Sequence, residues 1–282
     1  MAIKAPVRPS FLAVITPQPA PLRYLALLIV GIAVGAALVA WLGMPVWGAS
    51  VLVLTLLGWP TARTWRTVGE RFGRPFMVVS VLLYLQGFHT IEHIAQFLQL
   101  HLLAWPPRQA TGLLSGLNVE IVHFVWNWSV LLVALYLLRA GLRSGPRNLW
   151  GVLFLVWALA HTLEHTYLMY QYLSAIRVLL STGGSLAFAE GLPGVLGRGG
   201  WLAANQDTSA IACLICQLVP ANVVTPRLDI HFWWNVGETT LLLAFVIGAV
   251  QRISSAPRLA KCGGAGSSDD AAVGDQGCTS GM

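Results

Sequence analysis

The chain has 282 residues with 17 Lys and Arg against 11 Asp and Glu, a formal net charge of +6, yet only 10% of its residues are charged and 56% are hydrophobic. A mean hydropathy of +0.68 lies outside the soluble globular class, and several apolar runs exceed the ~18 residues that mark a membrane-crossing helix. The basic residues are dispersed between those runs and not gathered on one face, which argues against a nucleic-acid partner and leaves the lipid bilayer as the first one.

Residues 1–20 carry Pro6, Pro9, Pro17 and Pro19 with little periodicity and read as a cytoplasmic tail. Lys4, Arg8 and Arg23 precede a first apolar run long enough to remain as a helix, so no cleavable leader is expected. That span covers about 22–42, and a turn at Gly43 and Met44-Pro45 leads into a second at about 45–60. Residues 21–60 carry no charge beyond Arg23 and read as two scaffold helices, in which Gly31 and Gly35 form a small-xxx-small spacing suited to close helix packing. The segment Thr61 to Arg74, with Arg63, Arg66, Arg71 and Arg74, reads as a basic loop.

The third span begins at Pro75, ends near Trp105 before Pro106-Pro107, and carries Phe88-His89-Thr90-Ile91-Glu92-His93. A fourth, about 117–139, holds Glu120, His123 and Asn127, and a basic turn with Arg139, Arg143 and Arg147 follows. The fifth, about 148–179, carries Ala160-His161-Thr162-Leu163-Glu164-His165. After a Gly-rich connection over 181–227, the sixth span, about 228–251, holds His231, Asn235 and Glu238; residues 252–282 read as a disordered cytoplasmic tail. The fold class expected is all-α, a polytopic integral membrane protein of about six transmembrane helices.

Placing the N-terminus, the 61–74 and 139–147 segments and the C-terminal tail inside puts 13 Lys and Arg there and leaves Arg108, Arg177, Arg198 and Arg227 outside. The expected location is the cytoplasmic (inner) membrane, N-in and C-in.

A repeat underlies the middle of the chain. An offset of 72 aligns His89, Thr90, Glu92, His93 and Gln99 with His161, Thr162, Glu164, His165 and Gln171; an offset of 108 aligns His123-Phe124-Val125-Trp126-Asn127 with His231-Phe232-Trp233-Trp234-Asn235. Residues 75–140 are thus repeated as 148–251, the second copy carrying an extracytoplasmic insertion at 181–227. Because the third and fifth spans run the same way, the repeat is parallel, and its pseudo-twofold axis predicts a four-helix core in which both clusters meet, between the midplane and the outer half of the bilayer.

On a helix advancing about 100° per residue, His89, Glu92 and His93 share one face, as do His161, Glu164 and His165. Each titratable group costs on the order of 2.5–3.5 kcal/mol inside a membrane, so two such clusters call for partners or a metal. The candidate ligands are His89, Glu92, His93, His123, His161, Glu164, His165 and His231. These six imidazoles and two carboxylates suit a dinuclear site. Ligation by N and O without sulfur points to iron first, then zinc, with copper or manganese further alternatives. Asn127 and Asn235 are expected to orient imidazoles from a second layer. Glu120 and Glu238 have no mates in the repeat and are the candidate catalytic residues, as an extra ligand, general base or proton relay.

The His-x-x-Glu-His spelling at His89 and His161 resembles the inverted zincin motif, which would make the histidines zinc ligands and Glu92 or Glu164 a general base. The helical arrangement resembles the ferritin-like di-iron proteins, from which it departs by having more histidine and His before Glu. Other readings are a haem between two histidines, as in an electron-transfer protein, and a hydrogen-bond network without ligand. His101 reads as an interfacial histidine, Asp229 as the N-cap of the sixth span, and Trp126 and Trp234 as walls of the site. Cys213 and Cys216 are expected to form a disulfide in an outer connection that acts as a lid.

The function expected is that of a metal-dependent oxidoreductase acting on a lipophilic or small apolar substrate with an electron donor; metal transport or delivery and a zinc-dependent membrane hydrolase are the alternatives. Transport needs polar groups continuing inward, whereas the inner halves of the fourth and sixth spans are aliphatic and the third adds only Ser80, Tyr84 and Gln86. The sequence therefore reads as a site closed from the cytoplasm.

Overall fold

A computed structural model describes residues 21–114, 119–140, 148–185 and 188–255. The two tails, Arg143 and Arg147, and Cys262 and Cys278 lie outside the described residues. Among the described residues there are helices and no strands. They are α1 (Pro21–Leu42), α2 (Val46–Phe72), α3 (Arg74–His101), α4 (Glu120–Arg139), α5 (Leu149–Thr182), the short α6 (Trp201–Asn205), α7 (Ala210–Leu218) and α8 (Ala221–Val224), and α9 (Arg227–Ser255).

Four of them, α1, α4, α5 and α9, are long and apolar enough to cross a membrane. Their surfaces agree: Leu22, Trp41, Val125, Leu132, Val156 and Leu163 are all more than half exposed, a liability in water and the expected state in lipid. The 27 residues of α2 and 28 of α3 are also of spanning length, but their arginines and amides hold the hydropathy down.

The basic segment after residue 60 is helix and not loop. Pro60 removes one backbone donor, yet the helix runs on to Phe72, with Thr61 and Thr64 hydroxyls donating to Leu57 O (2.6 Å) and Pro60 O (3.1 Å). It ends at Gly73, whose φ of 92° only glycine adopts readily, and α3 turns back against it.

Packing is antiparallel throughout. Gly31 and Gly35 of α1 meet Val53 and Ala49 of α2, as the small-residue spacing predicts. Trp65 of α2 packs edge-on against Tyr84 of α3. Around the centre, α3, α4, α5 and α9 form a ring of neighbours: His93 meets His123, Trp128 bonds to Thr166, Phe154 meets Phe245, and Phe97 stacks on Phe232. The start of α1, the α2–α3 turn, the end of α4 and the ends of α5 and α9 next to Asn148 and Gln251 therefore share one end of the molecule.

That half of the four-helix core is apolar. Val79, Leu82, Ala134, Leu137, Phe154, Leu242 and Phe245 are buried together there, each worth ~1.5–3 kcal/mol against exposure to water. Polar side chains take over one turn higher. At the opposite end the α5–α9 connection holds three short helices around Leu202, Ala212 and Cys216. Cys213 and Cys216 are free thiols and not a disulfide; both sit on α7 three residues apart, where Cys216 faces the small core and contacts Leu202 O at 3.7 Å. Asp229 lies inside the first turn of α9 and pairs with His101 at 2.7 Å, so it ties α3 to α9 instead of capping.

Candidate metal centre

The four central helices bring all six predicted histidines into one continuous cluster. Ring centroids are 4.7 Å apart for His89 and His93, 5.4 Å for His89 and His123, 5.4 Å for His123 and His165, 4.9 Å for His165 and His231, and 4.9 Å for His161 and His165. One donor nitrogen from each of His89, His93 and His123 falls within 4.8 Å of the other two, close enough for a single ion to draw them in. His93, His123, His161, His165 and His231 are buried.

Three imidazoles are oriented from outside the cluster. His123 donates Nδ1–H to Val119 O at 3.1 Å, and His231 donates Nδ1–H to Arg227 O at 3.0 Å, in each case to the carbonyl four residues back. His161 turns Nδ1 to Glu238 Oε2 at 3.1 Å. With Nδ1 so occupied, Nε2 is the free donor and points inward, the arrangement by which outer partners fix a metal-binding imidazole. Seven buried ring nitrogens have no partner: Nε2 of His89, His161 and His231, and both nitrogens of His93 and His165. Each unpaired buried polar atom costs ~1–3 kcal/mol, so a concentration of this kind requires an explanation.

The carboxylates do not join this cluster as the sequence suggests. Glu92 accepts from Leu113 N–H and Leu114 N–H, both at 2.8 Å, and Glu164 accepts from Val195 N–H and Leu196 N–H at 3.0–3.4 Å. Each glutamate thus pins the loop that follows its helix. Gly112 and Gly194 make this close approach achievable, because a Cβ at either position would overlap the carboxylate. Asn127 and Asn235 likewise bond one turn back, to His123 O and His231 O at 2.9 Å, and not to imidazole nitrogens.

Glu120 and Glu238 differ from one another. Glu238 is fully buried among His161, Gln86 Nε2 at 3.2 Å and the histidine layer. Glu120 pairs with Arg227 at the opposite end, and its backbone N–H donates to Glu190 at 3.2 Å. Burial, followed by the nearby Glu120 carboxylate, raises the Glu190 carboxyl above the usual carboxylate value. Trp126 and Trp234 wall the cluster as expected, with ring centroids 5.4 Å from His89 and 5.2 Å from His161.

Gln86, Arg227 and Glu190 were not among the predicted site residues. The signal for Gln86 was present: it is a buried amide on α3 whose repeat position, Ala158, is apolar. Glu190 sits in irregular chain, where periodicity says nothing, and Arg227 is the first residue of α9, where a basic residue reads as a loop charge.

Two cavities reach the cluster. One, of about 400 Å³, lies among His93, His123, His231 and the charged groups Arg108, Glu120 and Arg227. The other, of about 440 Å³, opens between α2 and α4 over α3, is walled by Leu54, Trp65, Phe88 and Trp126, and touches His89. Compared with models of protein families, with curated proteins and with solved structures, the chain matches none of them.

Proposed function

We propose that the chain is a membrane-embedded metalloenzyme, an oxidoreductase whose metal ions are held by His89, His93 and His123 on one side and His161, His165 and His231 on the other. The single observation that carries the reading is the set of seven unpartnered imidazole nitrogens facing one another in the buried core. A hydrogen-bond network would leave fewer of them unpaired, and a haem would use two histidines and strand four. Iron is the first choice of metal and zinc the second, since imidazole suits both.

The finer architecture belongs to the same reading. All six long helices cross the bilayer: the amides Gln86 and Gln96 of α3 are buried in the protein, and the exposed Arg63, Arg66, Glu70 and Arg71 of α2 lie in its last turns, where that helix leaves the lipid. Residues 75–140 and 148–251 are a parallel repeat about a pseudo-twofold axis, supported by the equivalent bonds of His123 and His231 and of Glu92 and Glu164. The arginine count supports an inner position for the α2–α3 turn.

The metal supplies the redox chemistry. The chain's own part is to orient the imidazoles through Val119, Arg227 and Glu238, to exclude bulk water with the glutamate-pinned loops, and to admit substrate. The apolar cleft beside His89 suits a lipophilic or small apolar molecule arriving from lipid, because Leu85 and Val122 on its rim are each 39% exposed on the outer surface. The charged cavity at Glu120 and Arg227 gives water a separate approach.

The test is oxygen consumption by protein in lipid nanodiscs, loaded with iron or with zinc, with a lipid-soluble two-electron donor. Turnover with iron and none with zinc supports the reading. Ester or amide hydrolysis by the zinc form, with no oxygen consumed by the iron form, moves the assignment to the hydrolase.

A further inference from the structure

The sequence reads as closed on the inner side, yet the structure holds a cavity in that half of the bundle. Below the histidine layer, between α1, α2, α3 and α9, lies a third cavity of about 360 Å³ lined by the hydroxyls of Tyr24, Thr61, Thr64, Ser80, Tyr84 and Thr239. We propose that it is a water path, admitting water and with it protons from the arginine-rich end of the bundle to the underside of the cluster. The inference deepens the metalloenzyme reading by naming how its buried centre meets the inner aqueous phase, and it rests on that reading for its purpose.

Position is the first argument. Ser80 stands near the end of the molecule that carries the α2–α3 turn, and Gly87 lines the same cavity two turns higher, a climb of ~10 Å along α3. At the top, Thr239 and Thr90 share a hydrogen bond at 2.5 Å, and Thr90 donates to Gln86 O at 2.8 Å. Gln86 then bonds to Asn235 and Glu238. Polar groups therefore lie at the inner end, around the cavity and at the histidines, with the cavity itself as the space between the Tyr24–Thr61 pair and Thr239.

Chemistry is the second. The Tyr84 hydroxyl oxygen is buried without a protein partner, and Tyr24 donates to Thr61 at 2.8 Å beside it. A space of this size, at ~30 Å³ per water, holds several molecules, and the hydroxyls set among its otherwise apolar walls of Trp65, Leu83 and Leu243 give water hydrogen-bond partners.

The repeat supplies the third. At the 72 and 108 offsets, Ser80, Tyr84 and Gln86 correspond to Val152, Val156 and Ala158, and Glu238 and Thr239 to Val130 and Leu131. Both halves keep their histidines, and Thr90 and Asn235 keep Thr162 and Asn127 as counterparts, yet these five polar positions are aliphatic in the other half. Val152 and Val156 face outward, which accounts for those two, but Ala158 and Val130 are as buried as Gln86 and Glu238 and still apolar; a path needed on one side gives a reason for that difference. Neutral hydroxyls relay protons well and stabilise a bare divalent cation poorly, so the seam suits water and not metal passage.

The test is cysteine accessibility in the full chain, with Cys213, Cys216, Cys262 and Cys278 changed to Ser. Gly87→Cys is the main probe, because a Cβ there meets nothing within 4 Å; Ser80→Cys and Thr239→Cys are companions, and Val156→Cys is the lipid-facing control. A membrane-impermeant methanethiosulfonate cation is added to oriented vesicles from either side. The proposal expects Gly87→Cys to label from the inner side at least about tenfold faster than Val156→Cys, since only a hydrated thiol ionises and reacts. Adding Ser80→Leu to the Gly87→Cys protein blocks that labelling. No inner-side labelling at Gly87→Cys and Thr239→Cys, or labelling from the outer side alone, overturns it. Metal content is measured on the same samples: labelling without metal keeps the path and removes the metalloenzyme reading, and metal without labelling does the reverse.

Discussion

Nδ1 of His161 and Oε2 of Glu238 are 3.1 Å apart, with both side chains fully shielded. Val130 stands 108 positions before this carboxylate, as His123 does before His231, so the two triplets of histidines are held differently. Glu238→Val is expected to lower metal affinity at the His161 triplet by ~10–100-fold, the usual effect of losing an outer partner of a ligating histidine. Glu238→Gln keeps an acceptor and loses less. Metal titration of the two variants with a competing chelator distinguishes them, and equal affinity in all three proteins contradicts the role.

Glu92 and Glu164 separate a loop-pinning role from ligation. Glu92→Gln and Glu164→Gln are expected to retain the bound metal and to lower the thermal midpoint, since each breaks at least one of the bonds to Leu113 and Leu114 or to Val195 and Leu196. Gly112→Ala and Gly194→Ala act on the same contacts from the other side and destabilise by ~1–3 kcal/mol, the cost of unpairing buried polar groups. Loss of metal in the glutamine variants would restore these carboxylates to the ligand set.

The two glutamates also mark how far the sequence could be read. The layer of histidines was legible because helical periodicity and repetition together place His89, His93, His161 and His165 on inward faces. The carboxylate three residues along shares that face, but a side chain of this length reaches beyond the cluster, and spacing within a helix cannot say that a loop 21 residues later, at Leu113, offers two amides. Long-range partners of this kind are set by chain that has no periodicity. The same limit hid the hydroxyl cavity: Ser80, Tyr84 and Gln86 look isolated on α3, and become a seam only when α1, α2 and α9 add Tyr24, Thr61, Thr64 and Thr239. The helical continuation past Pro60 was missed because a proline and a run of arginines resemble a loop, although both fit a helix end that leaves the bilayer.

Glu190 gives a pH dependence. Its carboxyl titrates above the ordinary value in the folded protein, from burial first and the Glu120 carboxylate second. The folded state therefore binds this proton more tightly than the unfolded chain, and the stability it contributes is present below the ordinary carboxylate value of ~4.3 and lost as pH rises through the raised folded one. Thermal melts from acid towards neutral pH are expected to show that loss in the wild type, and Glu190→Gln to remove it. An unchanged pH profile in the variant contradicts the assignment.

In protein with Cys262 and Cys278 changed to Ser, denatured under non-reducing conditions, Cys213 and Cys216 are expected to be two titratable thiols. Cys213→Ser, at a half-buried position outside the small core whose sulfur accepts from Gln217, is expected to cost no more than about 1 kcal/mol. Cys216→Ser costs more, because its sulfur sits in the small core with Leu202 and Ala212. Neither changes metal content. A thiol count of zero would show the disulfide instead.

The most direct test of the metal centre is elemental analysis of detergent-purified protein, prepared without chelator, beside a His93→Ala/His165→Ala variant of equal helical content. Six imidazoles taken three to an ion predict about two metal ions per chain in the wild type, iron before zinc, and their loss in the variant. Stoichiometric metal in neither protein, or the same amount in both, would contradict the account and leave the histidine layer as a polar packing network.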